Sequence, residues 1–323
     1  MTLVESAIWT LMILVALAAI FWMMEAGIAR LSPPLRRIAI PMAFMGPGLI
    51  FIMGAYIVPT IMTIIQSFQH RRTGEFVGLA NYERVLSNSQ AHGAFINTLL
   101  WLVLVPTFCV IIGLVVAGLT DRLPKRVETF FKSLIFMPMA ISFIGATAIW
   151  SLVYAFQPVG RPQVGIVNEI ITAFDGIPRP WIIVSDYKLN TLALSMIMVW
   201  MFAGFAMVNL SASIKSVPEE TVEAARLEGA SSFTIFWKII VPQIRTTIVT
   251  VFTAIAILSL KIFDVVYSMT GGRYDTDVVG NLYFTQAFVL RDRSFASVLI
   301  VLLLISVIPF MWLNVRQFSR KNR

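Results

Sequence analysis

Glu223-Ala224-Ala225-Arg226-Leu227-Glu228-Gly229-Ala230, followed by Ile239-Ile240-Val241-Pro242, forms a charged, helix-prone island between two strongly apolar stretches. Pro218 suits the first position of a helix, where its missing N–H costs nothing. Glu219, Glu220 and Glu223 suit the positive end of that helix's dipole. Val222, Ala225 and Leu227 supply a short apolar stripe. Gly229 suits the left-handed residue that ends a helix, and Ser231 or Ser232 can cap the next one. Pro242 then opens a new apolar run. The stretch predicts a helix-turn-helix knuckle, residues 215–242, held outside the bilayer by a membrane protein.

Composition supports that setting. The chain is 58% hydrophobic and 13% charged, with mean hydropathy +0.83. A soluble domain is about half apolar and about a quarter charged, so this surface cannot be fully wetted. The net charge of +8 belongs to loops on the negative side of a bilayer and is not a nucleic-acid signal. Cys109 is the single cysteine, so no intrachain disulfide forms.

A helix needs about 20 apolar residues to cross about 30 Å of hydrocarbon. Seven stretches qualify, near 6–29, 41–68, 95–119, 133–156, 191–214, 243–269 and 294–315, which predicts an all-α polytopic bundle. Glu5 and the lack of Lys or Arg before the first stretch set it apart from a secretory signal, so it is expected to be a retained helix. Pro33-Pro34 is expected to stop it. In the loop 157–190, Ile166, Val167, Ile170, Ile171 and Phe174 lie at helical spacing opposite Asn168, Glu169 and Thr172, which predicts a short interfacial helix. Residues 270–277 carry turn chemistry.

Loops on the knuckle side carry fifteen Lys and Arg and those on the other side nine. The positive-inside bias then puts the knuckle and the C-terminus in the cytoplasm and the N-terminus outside.

The spacing in the opening stretch is also a signature. Glu-Ala-Ala, three residues, Gly, nine residues, Ile, one residue, a hydrophobic residue and Pro resembles the cytoplasmic loop of permease subunits of binding-protein-dependent ABC importers. Val241 stands where that family most often has Leu. Phe76-Val77-Gly78-Leu79-Ala80-Asn81-Tyr82, Gly165-Ile166-Val167-Asn168 and Trp181 look like the sugar-type branch. Phe263 to Gly272 and Tyr274-Asp275-Thr276-Asp277 look most like α-glucoside permeases. The resemblance implies a six-helix core in 39–323, preceded by one extra helix and linker in 1–38. It implies a second permease subunit as partner, two ATPase subunits carrying ATP and Mg, and an extracytoplasmic solute-binding protein that delivers a sugar. The setting it implies is a bacterial or archaeal cytoplasmic membrane. Glu223, Ala224, Ala225, Gly229, Ala230 and Phe233 are then the ATPase-coupling residues, and the mechanism is alternating access.

The solute path draws on both readings. Lys261 and Asp264 fall inside the sixth stretch, three residues apart and so neighbours on a helix. Charges there face protein or water, because each costs about 2.5–3.5 kcal/mol at the bilayer centre. The pair either lines the path or is a structural ion pair. Trp200, Phe205 and Asn209 interrupt the fifth stretch. Asn209 also suits an interhelical hydrogen bond, and the two rings also suit a core. By resemblance to maltose-type permeases, Met201, Phe202, Phe205, Ser259 and Ile262 hold solute-site positions, several of them apolar here where the family is polar.

No Gly-x-x-x-x-Gly-Lys-Ser/Thr phosphate loop is present, and His70 and His92 have no clustered ligands, so neither ATP hydrolysis nor a metal is expected of this chain. Three rival readings stay open: a secondary transporter coupled through Lys261 and Asp264, a seven-helix receptor, and an importer of a non-sugar solute.

Overall fold

The computed structural model describes residues 3–29, 32–121 and 123–321. Arg30, Arg122 and Arg323, counted in the charge balance, lie outside the described residues, as do the side chains of Glu5, Arg316, Arg320 and Lys321.

The described chain is helical, with one isolated antiparallel bridge, Gln69 to Phe76. It divides into two compact units, Met1–Ile65 and Gln66–Arg323. The first holds α1 (Leu3–Ala29) and most of α2 (Pro33–Ser67), with Phe21 and Phe44 stacked at 5.9 Å. Pro33-Pro34 does not end a helix but opens α2, because the first turn has no use for their missing N–H groups. Ahead of Pro59 the helix widens to a π stretch, Met53–Ile57, where Val58 N–H reaches back to Met53 O.

The second unit contains α3 (Ala80–Leu86), α4 (Ser89–Thr120), α5 (Lys125–Ala140), α6 (Phe143–Val153) and α7 (Ile166–Ala173). Then come α8 (Leu189–Lys215), α9 (Glu219–Leu227), α10 (Ser232–Gln243) and α11 (Arg245–Leu260). The last are α12 (Asp264–Met269), α13 (Val279–Phe284) and α14 (Arg293–Lys321). Among the described residues, α2, α4 and the helical run 186–215 are each long and apolar enough to cross a membrane. The bent pairs α5/α6 and α10/α11 meet the test as broken spans, and shorter apolar helices occupy Ala18–Ala29 and Arg293–Pro309. Each expected span therefore has a helical counterpart, but two are not straight. The fourth bends by 106° at Ile141–Ser142, where Ser142 caps α6 by accepting from Gly145 N–H. The sixth bends by 70° at Ile244 and breaks again after Leu260.

The centre of this unit is α8, 72% buried over its span window against 44% for α4. Glycine lets its neighbours come close. A Cβ on Gly113 of α4 would lie 2.8 Å from Ala206 Cβ, and one on Gly204 of α8 would lie 2.5 Å from Ile135 O of α5. Leu194, Ile197, Met198, Met207 and Leu210 fill the core between them, joined by Trp101 and Ile255.

Candidate functional site

The knuckle forms as its residues dictate, with two shifts. Pro218 stands one place before the helix rather than at its first position, and Glu219 begins α9. At the far end Gly229 takes φ +82°. Ala230 N–H reaches Ala225 O and Gly229 N–H reaches Arg226 O, both at 3.0 Å. These are the two bonds of a Schellman stop. Ser231 then caps α10, accepting from Thr234 N–H at 3.2 Å.

The second shift concerns the apolar stripe. Val222 and Ala225 turn inward, but Leu227 is 90% exposed. Two residues past Ala225, it falls on the opposite face of the helix. There it lines up with Glu220, Glu223 and Ala224, all exposed. The outward face of the knuckle is thus two carboxylates beside an alanine and a leucine. Sequence reasoning missed Leu227, although its four-residue spacing from Glu223 was there to read. Phe233 is exposed on α10, where it lines a groove with Val115, Leu119, Phe236 and Trp237. Behind the knuckle a cavity of about 280 Å³ separates it from the bundle, lined by Asp121, Lys215, Glu219 and Arg226 among others.

The expected path residues divide into two groups. Met201, Phe202, Ser259 and Ile262 are buried in the chain's own core. The Ser259 hydroxyl donates to Ile255 O at 2.9 Å, one turn back. Trp200, Phe205, Asn209 and Asp264 are half-buried, and Lys261 is exposed. Among the described residues Asn209 makes no interhelical bond; its amide donates to Phe205 O of its own helix at 2.8 Å. Lys261 and Asp264 are not helix neighbours, because α11 ends at Leu260 and Asp264 starts α12. No ion pair joins them among the described residues. The break is held from outside. A Cβ on Gly280 of α13 would lie 2.6 Å from Ile262 O, and Phe263 packs its ring on Tyr267 and Phe284 at 5.0 Å each.

At the ends of α4 and α8 opposite the knuckle, the loop 270–278 is pinned to both helices. Asn97 of α4 donates to Asp275 O and Asp277 O, each at 2.8 Å, and Thr98 accepts from Val279 N–H. Asn190 of α8 donates to Tyr274 O, and Lys188 pairs with Asp275. Asp277 is buried and accepts from Gln90, Asn281 and Val278 N–H.

Long apolar helices, carrying a charged knuckle on a turn that only glycine adopts freely, define a multi-pass membrane protein. The family described as binding-protein-dependent transport system inner membrane component matches residues 109–322, and the chain belongs to it. It is 42% identical to the osmoprotective compounds uptake permease protein GgtC of Synechocystis sp. over 87% of this chain and 99% of that one. It is 39% identical to the α-glucoside transport system permease protein AglF of Rhizobium meliloti, over 87% and 83%. A chain of a bacterial alginate ABC transporter, solved in complex with an alginate pentasaccharide-bound periplasmic protein, shares the fold. Its TM-score is 0.75 at 17% identity, with 91% of this chain and 99% of that one covered.

Proposed function

We propose that this chain is the permease subunit of an ATP-driven sugar importer, of the α-glucoside or oligosaccharide class. It forms the path with a second permease and receives solute from an extracytoplasmic binding protein. The observation that carries the reading is the outward face of α9, where Glu220, Glu223, Ala224 and Leu227 stand exposed on a helix locked at Gly229. Two carboxylates flanking an apolar side chain suit a cleft with a basic rim, as an ATPase subunit would offer. ATP and Mg then belong to that subunit, and closure of the ATPase pair on ATP swings the knuckle as a rigid lever. The knuckle and C-terminus face the cytoplasm and the N-terminus the outside. Lys261, Asp264, Trp200, Phe205 and Asn209 keep polar or aromatic surface uncovered by this chain and are the stronger path residues. Met201, Phe202, Ser259 and Ile262 would act from behind them.

The test is reconstitution of the complex in liposomes, with labelled α-glucosides and ATP supplied on the knuckle side. Uptake that requires ATP, with an ATPase co-eluting with the permease, is the expected result. Uptake without ATP but dependent on Lys261 and Asp264 would favour ion coupling. Labelling of a cysteine at Ala224 from the outer face would end the importer reading. A second substrate class has its own support, since one relative at 42% identity is named for osmoprotective compounds. Competition between those compounds and α-glucosides in the same assay separates the two.

A further inference from the structure

Beneath the knuckle lies a charge cluster that the docking face does not use. Glu128 of α5 is 8% exposed, and the hydrogen bonds it accepts from two lysines hold its carboxyl below the usual carboxylate range. Two lysines hold it. Lys132, one turn on, and Lys215, the last residue of α8, both donate to Glu128 Oε1, the second at 2.6 Å. Lys132 also donates to Ser211 Oγ on α8, and Lys215 approaches Asp121 at 3.9 Å. α5 and α8 are therefore tied at one carboxylate, and the end of α4 joins them through Asp121 and Lys215, three residues before Pro218 and the start of the knuckle.

A second tie lies further along. Gly204 of α8 brings that helix onto the backbone of Ile135 and Phe136. Held at both places, α5 cannot slide on α8 without parting the Glu128–Lys215 ion pair or driving backbone into backbone. Beyond Ala140 the chain bends by 106° into α6. There Phe143 and Trp150 lie against Phe202 and Trp200 of α8, at 6.2 and 6.0 Å between ring centres. These contacts join the root of the lever to rings named above as path residues.

We propose that Glu128 is a positioning residue for transport. It latches α5 to the root of the knuckle, so that displacement of the knuckle moves the Ile141–Ser142 bend and the rings around it. The proposal rests on the importer reading and adds to it the element that carries the stroke inward. A bridge that only stabilised the fold would lower the amount of complex but leave solute delivered per ATP unchanged.

That ratio is the readout. Glu128→Gln is assembled with the partner permease, ATPase subunits and binding protein in liposomes, and uptake per ATP hydrolysed is compared with wild type. ATPase co-elution and hydrolysis should hold while uptake per ATP falls about tenfold, within the usual range of coupling between sites. Lys215→Met, at a half-exposed side chain, should lose a similar factor and serves if Glu128→Gln fails to insert. The double variant should be no worse than the poorer single, as expected for two ends of one contact. A wild-type ratio in either inserted variant overturns the latch. A wild-type complex that imports without ATP removes the importer reading and the latch with it, and the control alone reports that outcome.

Discussion

At one end of α8, Lys188 and Asn190 reach across to the loop 270–278. At the other, Lys215 leads into the knuckle. The far loop is tied to residues 84 to 187 positions away through Asn190, Asn97 and Gln90, and its Thr270, Thr276 and Asp277 are buried. The backbone bonds of the knuckle turn span five residues or fewer, and its outward face is exposed. The far end is thus a platform held by tertiary contacts, whereas the knuckle turn is held by local bonds and leaves its outer face exposed. The lever proposed above would draw on that contrast, keeping its shape while its surroundings change.

The largest expected effect tests the knuckle as a lever. Gly229→Asp meets no atom within 4 Å, so its cost is conformational, about 1–2 kcal/mol, and local. The protein should insert normally while ATP-dependent uptake falls by more than about tenfold. Normal uptake with unchanged ATPase association would take the lever role away from this turn.

Next comes the platform. Asn97→Ala leaves Asp277 O without its donor, at about 1–3 kcal/mol for a buried orphan, and leaves Asp275 O to the Lys188 ammonium alone. Thermal unfolding in detergent should show one cooperative transition moved down by several degrees. An unchanged midpoint would mean that this end is no stiffer than the knuckle.

The platform should also respond to pH. Burial pushes the Asp277 carboxyl above its usual 3.8, against the pull of Asn281, Gln90 and Val278 N–H. The folded chain then holds this proton more tightly than the unfolded chain. Stability from this group therefore falls as pH rises from about 3.8 through the raised value. Relative to Asp277→Asn, the wild-type melting point should gain toward acid pH. A gain toward neutral pH would reverse the sign.

The smallest effect is Ser231→Ala, which removes the cap on Thr234 N–H for about 1 kcal/mol. Amide exchange should quicken at 232–235 while the global midpoint holds. A global shift would show the knuckle to be part of the core after all.

Most of the knuckle was legible because its determinants lie within a few residues of each other. The Gly229 stop and the Ser231 cap are such cases, and so are the long apolar helices. Leu227 was misplaced because a count of apolar residues ignored their angles around the helix. The break after Leu260 was not legible, since residues 261–264 contain no Gly or Pro. It is held by Gly280 and Phe284, which come later in the chain. The bend at Ile141–Ser142 left a fainter trace, with Pro138 just before it and Ser142 in capping position.

The sequence alone determined that this chain lies in a membrane, where its helices run, and what the knuckle looks like. Hydropathy, caps and turn residues act over one or two turns of chain, and the fixed spacing of the Glu-Ala-Ala loop carries the family. Only the tertiary structure decided which path residues are buried, that Lys261 and Asp264 part company, and that Glu128 is shared by Lys132 and Lys215. Those outcomes depend on partners up to 87 residues away, and burial and charge pairing are settled only when helices pack.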